Sequence, residues 1–188
     1  MLLDCDGSTN ILRIYPIRYS WTTFLKMLTV GMKAPNFIAV CNDTNELKKY
    51  IGLTDIIDGK WCLMLFHPMD FGFSSPSLLL ELNSMKGQLD NLNCNIIGCS
   101  SDKPMSVPQK EGGIAGMDIP VIEDENGHIA EKFGIMTKDS KYITRGFVLI
   151  DNYGFIRAQV YKVLVTDLKM KNIPDKIKRI RVAMKQIK

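Results

Sequence analysis

The stretch Lys60-Trp-Cys-Leu-Met-Leu-Phe-His-Pro-Met-Asp-Phe-Gly-Phe-Ser-Ser-Pro76 decides how the rest of the chain is read. Trp61 to Phe66 are apolar without interruption, the pattern of a strand buried on both faces, and such strands belong to sheets with helices on either side. Ser75 and Pro76 suit the N-cap and first positions of a helix, and Leu79, Leu82, Met85, Leu89 and Leu92 follow at helical spacing. The residues between leave the carboxyl end of a strand and enter a helix. In open α/β sheets ligand chemistry collects there.

Working outward, Gly31 to Pro35 reads as a turn before a short segment at Phe37–Val40. Glu46 to Ile51 suits either a strand or a helical turn, and Gly52 to Lys60 reads as a loop rich in Gly and Asp. Asn95 to Cys99 is a second buried strand, and Ile129 to Phe133 a short helix. Phe147 to Asp151, a turn at Asn152–Gly154 and Phe155 to Val165 form a β-hairpin. The expected class is α/β, a mixed central sheet flanked by helices.

With 188 residues, 46% of them hydrophobic, the chain can bury a core of one globular domain. No apolar run approaches the roughly 20 residues that cross a bilayer, so no membrane partner is expected. Cys5, Cys41, Cys62, Cys94 and Cys99 form no CxxC pair, and there are only two histidines. A zinc site and a disulfide framework are both disfavoured, and neither metal nor cofactor is called for. Five thiols favour a reducing compartment, hence a cytoplasmic location. The alternative is mitochondrial, because Ser8 to Asn42 holds Arg13, Arg18, Lys26 and Lys33 and no acidic residue.

The net charge of +4 is unevenly spread: residues 169–188 carry +7 and the remainder −3. Within the basic stretch Ile173, Ile177, Ile180, Met184 and Ile187 recur at spacings of four and three, one apolar face of a helix that docks on the body with a solvated basic back. No aromatic residue interrupts it to stack a base, which argues against nucleic acid. The expected organisation is an appendage of unassigned role at 1–27, a domain at 28–168 and the basic helix at 169–188.

Five pieces of the chain, in order, resemble the peroxiredoxin family, in its thioredoxin-dependent two-cysteine or alkyl hydroperoxide reductase branch. They are Val30-Gly-Met-Lys-Ala-Pro-Asn-Phe37, Lys60 to Phe71, Asn95-Ile-Ile-Gly-Cys-Ser-Ser-Asp102, Gly112-Gly-Ile-Ala with Met117 to Asp124, and Arg145-Gly-Phe-Val-Leu-Ile-Asp-Asn-Tyr-Gly-Phe-Ile-Arg157. The resemblance implies a thioredoxin-like fold and thiol-dependent reduction of hydrogen peroxide and organic hydroperoxides. It also implies a cysteine at the helix start whose thiolate attacks the peroxide and becomes a sulfenic acid, which a second thiol resolves.

Where the family carries that attacking cysteine, this chain has Ser75. Gly72 takes the place of a threonine or serine, and Leu78 that of a usual glutamate, while Pro68 and Arg145 match. The resemblance also implies a resolving cysteine in a C-terminal segment, and no cysteine follows Cys99 in this sequence. Serine's hydroxyl is essentially un-ionised and has no reversible two-electron oxidation, so it cannot replace the thiolate. The expected function is therefore that of a degenerate family member, a scaffold, chaperone-like protein or oligomer partner. The alternative is a weak peroxidase using Cys99 or another thiol.

Ser75 is by itself a good N-cap. A hydrolase built on Ser75, His67 and Asp70 is disfavoured, since no G-x-S-x-G elbow is present. His67 reads as a packed residue beside a turn and His128 as a surface residue. Arg145 with the helix start at Ser75 forms an expected anion site. Cys62, Cys94 and Cys99 read as core thiols. The resemblance also implies a homodimer in which Phe155–Val165 pairs with its copy, and active peroxiredoxins as further partners.

Overall fold

The computed structural model describes residues 28–43, 46–67, 81–101, 119–136, 145–161 and 172–186. Seven strands, β1 (Ile38–Asp43), β2 (Glu46–Gly52), β3 (Trp61–His67), β4 (Cys94–Ser100), β5 (Val121–Glu123), β6 (Gly146–Ile150) and β7 (Ile156–Tyr161), form one sheet in the order β2-β1-β5-β4-β3-β6-β7. β4 runs parallel to β3 and β5, and the other pairings are antiparallel. The helices are α1 (Leu53–Ile57), α2 (Lys86–Asn91), α3 (His128–Lys132) and α4 (Ile173–Gln186). Residues 81–84 make a helical turn just ahead of α2.

Side-chain alternation along the central strands splits the core in two. Cys62, Met64 and Phe66 of β3 join Ile97 and Cys99 of β4 beneath α1 and α3, through Ile56, Ile57, Ile129 and Phe133. Trp61, Leu63 and Leu65 join Cys94, Ile96, Phe147 and Leu149 on the opposite face, beneath Leu82, Met85 and Leu89 and the Ile173 and Ile177 side of α4. All seven residues of β3 are buried, as an unbroken apolar strand between two helical layers requires.

Two local readings change. Gly52 to Lys60 is not simply a loop: it contains α1, whose start is fixed by Asp55 Oδ2 accepting the Gly52 N–H at 2.8 Å. Asp58 (φ 36°) and Gly59 (φ 73°) then end the helix in the left-handed region. Glu46 to Ile51, open between helical turn and strand in the sequence, forms β2 together with Gly52 because β1 lies antiparallel beside it.

The hairpin that ends the sheet is locked from within. Asp151, fully buried, accepts the Tyr153 and Phe155 N–H groups through Oδ1 at 2.9 Å each, while Oδ2 takes Arg157 Nε and Nη2 at 2.7 Å. Outside β7, Ile156 donates to Met32 O and Gly154 O accepts from Ala34, so residues 32–34 cover the start of that edge.

Candidate functional site

β3 and β4 end level with each other. The register sets His67 beside Ser100 and Ser100 beside Glu123. Phe66 pairs with Gly146, so one residue further on Arg145 stands level with His67. Alternation carries the Leu65 face to His67, the Phe147 face to Arg145 and the Ile96 face to Ser100, the side covered by α2 and α4. Adjacent strands lie about 4.8 Å apart. Glu123, Ser100, His67 and Arg145 therefore form a row across four strands at the carboxyl end of β3 and β4.

Ser100 is fully buried and His67 nearly so at 4% exposure, while Glu123 and Arg145 are half-buried. His67 lies against the bare backbone of β4: a Cβ on Gly98 would stand 3.4 Å from His67 Nε2 and 3.2 Å from Val121 Cγ2. The row contains serine, histidine and glutamate, yet it does not form a hydrolytic triad. Ser100 stands between the other two, so the carboxylate neighbours the hydroxyl instead of orienting the imidazole, and the hydroxyl has no access to solvent. What remains is a largely buried polar row with the half-buried Arg145 at its end.

The sequence profile described as AhpC/TSA family matches residues 30–159, more than half of the chain. The chain belongs to the AhpC/TSA family. A thioredoxin peroxidase of Echinococcus granulosus is 31% identical over 157 residues, 80% of this chain and 78% of that one. The structure resembles the reduced 2-Cys peroxiredoxin of Plasmodium vivax with a TM-score of 0.73 at 27% identity, over 83% of each chain. It also resembles Plasmodium yoelii Prx1a modified at the N-terminus, described as forming an artifactual octamer, at 0.67 and 25% identity over 81% of this chain and 89% of that one. The mixed sheet with flanking helices is thus the thioredoxin-like fold of peroxiredoxins.

Of the residues that the sequence assigned to the site of this AhpC/TSA chain, Pro68, Gly72, Ser75 and Leu78 lie outside the described residues, as does Asp70. Arg145 is placed immediately before β6 at the carboxyl-end row. Cys99, the alternative thiol, is not placed with it. Strand alternation turns Cys99 to the other face, where it is fully buried in the cluster that contains Cys41, Ile97 and Ile122. Burial, with a smaller contribution from Asp124, holds its thiol well above the ordinary range.

The other described thiols are likewise buried. Burial pushes Cys62 far up, and Cys94 to about 12 although Arg181 partly offsets the effect. Cys94 and Cys99 sit on opposite faces of β4. Among the described residues no group of three or more His, Cys, Asp or Glu side chains is arranged to hold a metal. His128 is exposed. The polar row itself was missed in the sequence: Ser100 and Glu123 are unremarkable until strand order brings them beside His67, and only alternation counted back from the buried strands could have signalled it.

Proposed function

We propose that this AhpC/TSA family protein has lost the peroxide chemistry of its family and keeps the fold as a scaffold, chaperone-like protein or oligomer partner. The observation that carries this reading is that all four described cysteines are buried, while the sequence has Ser75 where the family's attacking cysteine belongs. A thiol must ionise and meet the peroxide to act as nucleophile. Cys99, the thiol of the alternative weak peroxidase, is fully buried and burial holds its thiol well above the ordinary range, which speaks against that role.

In this reading Arg145 and the helix start at Ser75 form a weak site for sulfate, phosphate or a carboxylate, since a guanidinium and backbone N–H groups that served a thiolate also suit an oxyanion. Self-association is proposed through the outer edge of Phe155–Val165, with a second copy or an active peroxiredoxin as partner. Residues 32–34 already occupy the start of that edge, so the pairing concerns its later part, beyond Arg157. The location favoured is cytoplasmic, with mitochondrial as the alternative. Among the described residues no helix is long and apolar enough to cross a membrane.

Hydrogen peroxide consumption by the purified chain, with dithiothreitol or thioredoxin as reductant, tests the reading. The expected rate equals that of the protein-free control, and sustained turnover contradicts it. Restoring Ser75→Cys and Gly72→Thr together asks whether the surrounding pocket is still competent.

A further inference from the structure

Residues 28–34 lie as a strap along the outer side of β7. Gly31 donates to Ile156 O at 2.8 Å, Ile156 to Met32 O at 2.9 Å, and Ala34 to Gly154 O at 2.8 Å. Gln159 Nε2 holds one end by donating to Leu28 O, and Lys33 Nζ the other by donating to Tyr153 O, each at 2.7 Å. The strap turns at Thr29–Met32, where Met32 N–H donates to Thr29 O at 3.1 Å and Gly31 takes φ 93°. The return contact across this turn is of another kind: Thr29 N–H donates to Met32 Sδ at 3.4 Å. A thioether is a weak acceptor.

The other described sulfurs are placed differently. The four thiols and the Met64 and Met85 thioethers are buried in the two cores. The Met136 sulfur is turned in against Gly127, where an added Cβ would meet Sδ and Cε at 2.5 Å. Met184 packs on the core beneath α2 and α4. Met32 is half-buried against the core beneath α1 and α3, and its sulfur bonds at the exposed Thr29 amide. A thiol must ionise to act on a peroxide, whereas a thioether needs only a lone pair within reach of solvent. One lone pair of the Met32 sulfur faces Thr29. The second is not engaged by that bond.

We propose that Met32 is a site of oxidation by hydrogen peroxide or a small organic hydroperoxide, and that its sulfoxide latches the strap onto the β7 edge. The sulfur lone pair attacks the terminal peroxide oxygen, an S–O bond forms and the O–O bond breaks. The leaving oxygen takes the proton of the attacked one and departs as water or an alcohol. Sulfur gives up two electrons and the peroxide accepts them, so no thiol and no further reductant enters. The product exchanges a weak acceptor for a strong one. Rotation about the Cγ–S bond aims the new oxygen at Thr29 N–H, and the Thr29–Met32 turn is then closed by good hydrogen bonds in both directions. The bonds from Gly31 and to Met32 flank that turn, so closing it holds the start of β7 more firmly. This chemistry is independent of Ser75 and does not rest on the loss of thiol reactivity.

Peptide mass spectrometry and NMR-detected amide exchange on the full chain, before and after limiting hydrogen peroxide, test the proposal. In the folded chain Met32 sulfoxide is expected to form about tenfold faster than that of Met64 or Met85, which react only on opening of the core. In urea the three rates should converge. Exchange of the Thr29 amide is expected to slow about fivefold on oxidation, the effect of one ordinary hydrogen bond. Met32→Leu should remove that response to peroxide, which separates it from oxidation at other methionines. Met32→Gln, with an amide oxygen where the sulfoxide oxygen would stand, should show the slow exchange without peroxide. Met32 oxidising no faster than Met64 in the folded chain overturns the site. Thr29 exchange that is unchanged or faster after oxidation, or that slows equally in Met32→Leu, overturns the latch.

Discussion

Asp151 holds four donors with two oxygens at the tip of the β6–β7 hairpin. Removing the carboxylate leaves two backbone N–H groups and a largely buried guanidinium without their acceptor, so Asp151→Ala is expected to cost about 3 kcal/mol in urea unfolding. Asp151→Asn should cost less, because one oxygen remains. Cys94 sets a different expectation. Its thiol is raised from 9.0 to about 12 in the fold, so the unfolded chain loses this proton first as pH rises. The contribution to stability is intact below pH 9.0 and is lost progressively between there and about 12. A melting series across that range should show the decline, and Cys94→Ala should reduce its slope. None of these residue roles could be read from spacing alone: Asp151 lies in an ordinary turn sequence, and Cys94 looks like any core cysteine until Arg181 and Trp61 are placed beside it.

Among the elements, α4 was the most legible and α1 the least. The spacing of Ile173, Ile177, Ile180 and Met184 states which side of the helix meets the sheet, and those residues do pack there. α1 hides in a Gly- and Asp-rich stretch, because its short apolar face, Leu53, Ile56 and Ile57, spans too few turns to show a period. The Arg181–Trp61 contact gives α4 a spectroscopic handle. In a Trp21→Phe background, Arg181→Ala should alter the Trp61 emission and lower stability by about 1 kcal/mol, the loss of a partly desolvated cation–π contact. Ile177→Ala, which opens a void in the same seam, should cost about 2 to 4 kcal/mol. The relative effects matter: a larger loss for Arg181 than for Ile177 would mean that charge and not packing holds the helix.

At the scale of the whole molecule, the order of the strands does what no local pattern could. It places β3 and β4 centrally and parallel, ends them level, and brings Arg145 from a distant part of the chain to the row containing His67 and Ser100. Buried strands such as Trp61–Phe66 announced the fold class, because six apolar residues in unbroken succession suit a strand covered on both faces and would expose half their side chains in a sheet open to water. The row stayed invisible because it depends on register between strands far apart in sequence. The same architecture gives the described thiols their character: four cysteines lie in strands packed under helices, and a sheet covered on both faces leaves them without solvent. The most direct test of lost peroxide chemistry is to expose the native chain to hydrogen peroxide with dimedone present and map the adducts by peptide mass spectrometry. The account predicts no sulfenic acid adduct on any of the four described cysteines. A near-stoichiometric adduct, on Cys99 above all, would contradict it.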